Sequence, residues 1–132
     1  MLAQRLLEVM EVAERTAVQA TVAQLNAAIT TRLAYEVMRG EVGNVQAWTR
    51  RNPFELARIS QSNFAGELES TVGAIDRGSW VFDAVRAELI YSPRLRFGLQ
   101  TSDPDGILRF HGVASPNGMG FMLVPTSPYR WE

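Results

Sequence analysis

Few residues of this chain have the type and spacing that catalysis or metal binding requires. His111 is the one histidine of the chain, it lies near no carboxylate in the sequence, and the chain has no cysteine. A general base needs a partner that orients it, and a metal centre needs several ligands at defined spacings. We therefore expect His111 to be a surface imidazole, and we expect neither thiol chemistry nor a zinc–thiolate site.

Two groups of acidic residues are the remaining candidates for chemistry. Asp103 and Asp105 lie in a turn-forming stretch, but a calcium ion takes about 6–8 oxygen ligands, which this pair does not supply. The sequence therefore predicts a plain turn there. Glu8, Glu11 and Glu14 share one face of a predicted helix. We expect them to be solvated, with ion pairs to arginines of a neighbouring subunit as the alternative.

The composition indicates a single domain, and the lack of reactive motifs leads us to expect that it is not an enzyme. The chain has 132 residues, 46% of them hydrophobic, and a net charge of -1, which is unlike a basic nucleic-acid-binding surface. No serine lies in a nucleophile-elbow pattern, and no glycine-rich loop precedes a helix as a phosphate site would require. We predict no catalytic residue, no cofactor, no metal and no nucleic-acid partner.

A long N-terminal helix has the strongest signal of all the elements. Residues 2–39 contain neither proline nor glycine and are rich in good helix formers, and Gly40 follows as a stop. Such a helix would be roughly 57 Å long. A compact domain of about a hundred residues has a radius of gyration near 13 Å. Part of the helix must therefore project from its own domain or meet something else.

The apolar face changes side along this helix. In the C-terminal half we predict an inner stripe that packs on the domain's own sheet, made of Val18, Val22, Leu25, Ile29 and Leu33. Towards the N-terminus that same face becomes polar at Glu14 and Glu11, while the apolar residues move to the nearly opposite side. We call this second set the outer stripe and predict that it is an assembly surface: Leu2, Leu6, Val9, Met10, Ala13, Ala17 and Ala20.

The rest of the chain predicts an α+β fold, with the spine helix (1–40) packed on an antiparallel β-meander. A connecting region (41–78) contains two short helices, one anchored by Trp48 and one capped by Asn52. Alternating residues predict the sheet (79–132) as a hairpin over 79–92 and strands over 94–99, 108–111 and 121–124. One face of this sheet should be apolar and face the inner stripe, with core residues Trp80, Phe82, Leu89 and Tyr91.

Four segments, in this order, carry a family resemblance: residues 13–25 of the helix, Asn52-Pro53-Phe54-Glu55-Leu56, Asn63-Phe64-Ala65-Gly66-Glu67, and the hairpin from Gly78 to Tyr91. They resemble the pilin-like proteins of type IV pili and the pseudopilins of type II secretion. The family's prepilin cleavage site and the apolar run after it are not in this sequence, and no stretch reaches the roughly 18–20 apolar residues of a membrane span.

The resemblance implies a structural subunit of a type IV pilus or of a type II secretion pseudopilus. It implies that Met1 stands where the membrane segment would be, and that the full-length protein is anchored in the bacterial inner membrane. The domain would then lie in the periplasm or in an extracellular fibre, and other pilin or pseudopilin subunits would be its partners through the N-terminal helix. The alternative is a soluble module that binds a peptide or small ligand and dimerises through the helix.

Overall fold

The computed structural model describes residues 2–41, 43–68, 75–117 and 120–132, so Met1 lies outside the described residues. Helix α1 spans Leu2–Met38, which confirms the predicted long helix and gives it a length of about 56 Å. Gly40 ends it with a φ of 70°, a left-handed conformation that costs glycine little. The N–H groups of Gly40 and Glu41 bond to carbonyl groups of the last helical turn, so that the end of the helix is satisfied.

Both short helices of the connecting region are present. A 3-10 helix spans Val45–Arg50, and helix α2 spans Pro53–Ala57. The side chain of Asn52 accepts a hydrogen bond of 3.0 Å from the backbone N–H of Phe54, as the predicted cap requires. Trp48 is buried as the anchor of the first of these helices. The local signals of capping and helix propensity are therefore sufficient to locate these two elements.

The main sheet has one parallel strand that the sequence did not predict. Its five strands are β1 (Phe64–Glu67), β2 (Trp80–Asp83), β3 (Glu88–Tyr91), β5 (Leu108–Ala114) and β6 (Phe121–Pro125), while β4 belongs to a second sheet described below. The strands lie side by side in the order β1-β2-β3-β5-β6. The β2–β3 hairpin and the strands β5 and β6 pair antiparallel, as predicted, but β1 runs parallel to β2. The pairing of β1 is irregular, and Gly66 within it has a φ of 93°. The strand alternates in burial, but four residues with a glycine among them are too short a run to predict a strand from the sequence.

The predicted third strand over residues 94–99 is wrong. Residues 92–98 form an irregular loop, and only Leu99–Thr101 (β4) is a strand, which pairs with Tyr129–Trp131 (β7) in a second, two-stranded sheet. The apolar residues of the loop do not share a buried face, since Phe97 is 80% exposed. The loop's N–H groups bond to side chains of α1 instead of to a neighbouring strand.

The inner stripe of α1 packs against the sheet. Val18, Leu25, Ile29 and Leu33 are buried and belong to one hydrophobic cluster, and Val22 is partly buried against it. From the sheet this cluster receives three of the predicted core residues, which are Trp80, Leu89 and Tyr91, while Phe82 is also buried. Full burial of one such side chain is worth about 1.5–3 kcal/mol, so the stripe holds the C-terminal half of α1 firmly to the domain.

The hairpin is covered on both faces, not on one. Val81 and Ile90, which point away from the inner stripe, are buried with Ile107 in a second cluster. Leu68 and Ile75 pack on that cluster from the connecting region. The expectation of a single apolar face is therefore wrong for this part of the sheet, because residues outside the predicted meander cover its second face.

Candidate functional site

The outer stripe of α1 is exposed along its whole length. Leu2 is 87% exposed and Val9 is 65% exposed, and Leu6 and Met10 keep half or more of their surface. The alanines of the stripe are exposed as well. Water-exposed aliphatic side chains are common singly, but a continuous row of them along one helix is typical of an interaction surface. The structure brings all the predicted outer-stripe residues together on one side of α1.

Glu11 lies on the opposite side of α1 and is buried. It is 6% exposed, and its Oε1 accepts a hydrogen bond of 2.9 Å from the N–H of Phe97. Its Oε2 accepts bonds of 2.7 Å from the N–H of Gly98 and 3.2 Å from the indole Nε1 of Trp131. The expectation of a solvated Glu11 is therefore wrong. The cost of desolvating this carboxylate is offset by three donors.

Glu14, one turn further on, binds the beginning of the same loop. Its two carboxylate oxygens accept hydrogen bonds from the backbone N–H groups of Arg94, at 2.8 Å, and of Leu95, at 3.0 Å. The Tyr91 hydroxyl donates a third bond of 2.5 Å to it. Burial, together with this bond and the charge of Glu14, raises the pKa of the Tyr91 hydroxyl, because ionised tyrosine beside a carboxylate is disfavoured. The expectation of a solvated side chain is wrong here too, and holds only for the exposed Glu8.

Glu11 and Glu14 together accept hydrogen bonds from four backbone N–H groups of the loop. We call these two side chains and four N–H groups the glutamate clamp. Through these bonds the side of α1 that faces the domain stays in contact with it beyond the inner stripe, towards the N-terminus, by polar contacts in place of apolar ones. Arg15 adds to it by donating a bond of 3.2 Å to the carbonyl of Trp131. At Gly98 the backbone comes so close that an added Cβ would lie 1.8 Å from the carbonyl oxygen of Glu132. The clamp therefore fixes the 92–98 loop and the C-terminal strand onto the helix.

A groove of about 610 Å³ lies between α1 and this loop. Its apolar lining comes from Leu7, Val12 and Phe97, all of them exposed. Charged groups of Glu8, Arg15 and Glu132 also line it. We call it the Phe97 groove. It was not predicted from the sequence, although the trace of the inner face back to Glu14 and Glu11 was a signal that these residues contact the domain.

The other candidate residues contact neighbouring side chains. His111 is half-buried on β5, and its Nδ1 lies 2.9 Å from the hydroxyl of Thr126. Within the described ranges, no group of three or more histidine and acidic side chains has the arrangement that would hold a metal ion. The same part of the chain contains no buried side-chain nitrogen or oxygen without a hydrogen-bond partner.

Asp103 and Asp105 form the predicted turn, and their carboxylates bind an arginine. Arg109 is buried and donates from Nε to Asp103 at 2.6 Å, from Nη2 to Asp105 at 3.3 Å and from Nη1 to Glu88 at 3.4 Å. Burial alone would lower the pKa of the Arg109 guanidinium. The bond to Asp103 and the three negative charges outweigh that effect and raise the pKa. This cluster is a closed ion-pair network with a structural role.

Comparison with protein-family models, with curated proteins and with solved structures finds no match to this chain. The family resemblance drawn from the sequence therefore stays a proposal. Within the residues that the structure describes, no helix combines the length and the apolar character that a membrane crossing demands.

Proposed function

We propose that this chain is a structural subunit of a type IV pilus or a type II secretion pseudopilus, with a pilin-like fold, and that it assembles through the outer stripe of α1. The observation that carries the proposal is the exposure of Leu2, Leu6, Val9 and Met10 on a helix whose other side is fixed to its own domain. In the full-length protein we propose an inner-membrane anchor, with this domain in the periplasm or in an extracellular fibre.

The energetics favour an assembly role for this stripe. Burying one aliphatic side chain is worth about 1.5–3 kcal/mol. The chain as a monomer leaves several of them in water along one helix. The alanines at positions 13, 17 and 20 continue the stripe with small side chains, which permit a second helix to approach at the shorter end of the 8–10 Å range of interaxial distances. A partner helix is therefore the surface that suits the stripe best.

The alternative function, a ligand-binding module, would need a concave apolar pocket apart from the helix. Two hollows that are smaller and more open than the Phe97 groove lie away from the helix, but most of the residues that line them are polar, with Arg86 and His111 in one and Gln100 and Arg130 in the other. The Phe97 groove itself lies against the N-terminal half of α1. A groove in that position suits contact between subunits better than capture of a free ligand. We therefore retain the structural subunit as the proposed function.

Crosslinking in cells tests the proposal, and the absence of cysteine from this chain makes it specific. Cysteine is placed at Leu6 or at Ala13 in the protein as its own gene encodes it. A matched control carries cysteine at Ala84, which is exposed in the hairpin turn and is not part of the outer stripe. We expect crosslinked subunits from the two stripe positions and few from the control. Crosslinking at Leu6 and Ala13 that does not exceed the level at Ala84 would refute assembly through the stripe.

A further inference from the structure

We propose that the Phe97 groove of one copy receives the outer stripe of a second copy of this chain. This inference rests on the proposed function, because it names the surface to which the stripe binds. At about 100° per residue, the groove-lining residues of α1 and the outer stripe are centred on opposite sides of the helix, roughly 180° apart. One subunit therefore presents a ridge on one side and a groove on the other.

The two surfaces also match in length and in character. The groove follows α1 from Gln4 to Arg15, and the main apolar part of the stripe runs from Leu2 to Ala13. Each segment is roughly 17 Å long at the rise of an α-helix. Leu7, Val12 and Phe97 give the groove an apolar lining that aliphatic side chains of a second helix would bury.

The groove is organised before any partner arrives. The N–H groups of Phe97 and Gly98, on which the wall of the groove depends, are both held by Glu11. The exposed phenyl ring of Phe97 thus projects from a backbone that is already fixed, and docking does not need to order the loop. Interfaces of this kind avoid part of the entropy cost that flexible loops add to association.

Charge complementarity identifies a second copy as the occupant. Arg5 lies at the edge of the outer stripe and makes no ion pair with any residue that the structure describes. At the groove, Glu8 has no ion-pair partner among these residues either, and Glu132 pairs only with the exposed Arg130. The groove's own cation, Arg15, donates instead to a backbone carbonyl of strand β7. A stripe that enters the groove of a neighbour brings a free guanidinium to these carboxylates.

This contact joins two different surfaces, so each copy that docks leaves a further stripe and a further groove free. Such heterologous contacts continue as a filament unless the rotation closes them into a ring. An isologous contact between two stripes would instead end at a dimer. The Phe97 groove therefore supplies the polarity that a growing fibre needs.

Mixed crosslinking tests the inference on the full chain. One population carries Val9→Cys in the stripe and a second carries Leu7→Cys in the groove, on the nearly opposite side of α1, and both positions are exposed, so that neither change disturbs the core. With a short bismaleimide we expect mixed dimers in clear excess over dimers of either population alone. Dimers of Val9→Cys with itself, without mixed dimers, would overturn the inference and leave the proposed function intact. Absence of all these crosslinks also overturns it, and the cysteines at Leu6 and Ala13 then decide the proposed function separately.

A charge swap across the two populations adds a second, independent test. Arg5→Glu in the Val9→Cys population should lower the yield of mixed dimers about two- to fivefold, the range of an exposed ion pair. Glu8→Arg in the Leu7→Cys population should restore it. The control Arg77→Glu changes another exposed arginine, outside the stripe, and should have no effect. Equal yields with Arg5→Glu and Arg77→Glu, or no recovery with Glu8→Arg, would contradict the proposed orientation.

Discussion

Removing the carboxylate of Glu11 should destabilise the whole domain, although Glu11 lies in the polar half of α1. Its two oxygens accept three hydrogen bonds, from the N–H groups of Phe97 and Gly98 and from the indole of Trp131. A hydrogen bond to a charged group contributes about 1.5–3 kcal/mol. The two loop N–H groups are partly solvated and recover water in Glu11→Ala, so the expected loss is below the simple sum, at about 3–5 kcal/mol.

Urea unfolding followed by circular dichroism measures this loss in the free energy of unfolding. In a domain of this size, it corresponds to a fall of about 10–20 °C in Tm. Glu8→Ala is the matched control, since Glu8 is one turn away on the same helix and is exposed. We expect Glu8→Ala to change the free energy of unfolding by less than about 0.5 kcal/mol.

Amide hydrogen exchange separates the loop from the rest of the domain. In the parent chain, the N–H groups of residues 94, 95, 97 and 98 should exchange slowly, because they are bonded to Glu11 and Glu14. In Glu11→Ala, the amides of 97 and 98 should lose this protection first. Stability of Glu11→Ala equal to that of Glu8→Ala, with the amides still protected, would refute the clamp as the element that fixes the loop.

Three further predictions concern single groups around the core. Gly98→Ala should cost about 1–3 kcal/mol in urea unfolding, because its Cβ would overlap the carbonyl oxygen of Glu132, and an unchanged midpoint would contradict this close approach. Arg109→Met should cost about 3–5 kcal/mol in the same assay, since it leaves the buried carboxylate of Asp103 unpaired, and an unchanged free energy of unfolding would argue against the ion pair. The Tyr91 hydroxyl has a higher pKa in the folded chain than in the unfolded chain, so the free energy of unfolding should fall as pH rises above about 10. Tyr91→Phe should reduce that fall when unfolding is measured at alkaline pH.

Local signals in the sequence were enough for the helices, the hairpin and the inner stripe. Asn52 and Gly40 act on neighbouring residues through capping and a left-handed turn, and both positions are found as predicted. The 3.6-residue period of the inner stripe likewise depends only on the helix itself. Elements of this kind can be predicted because one short segment contains the whole physical cause.

The 92–98 loop could not be predicted from its own residues. Its alternating apolar pattern favours a strand, but the partners of its N–H groups are Glu11 and Glu14, which lie about 80 residues earlier. Strand β1 was missed for a related reason, since its pairing is irregular and parallel. In both cases the deciding hydrogen bonds are made with residues distant in sequence, which no local period reveals.

The bond between Trp131 and Glu11 spans 120 residues, and this separation sets an order of events during synthesis. Ribosomes add about 5–20 residues per second, so roughly 6–24 s pass between the appearance of Glu11 and that of Trp131. The glutamates find their first partners when residues 91–98 are made, but the Phe97 groove lacks part of its lining until Trp131 and Glu132 follow. In the docking that we propose, a chain therefore has a complete groove for its neighbour only once strand β7 and Glu132 have been made.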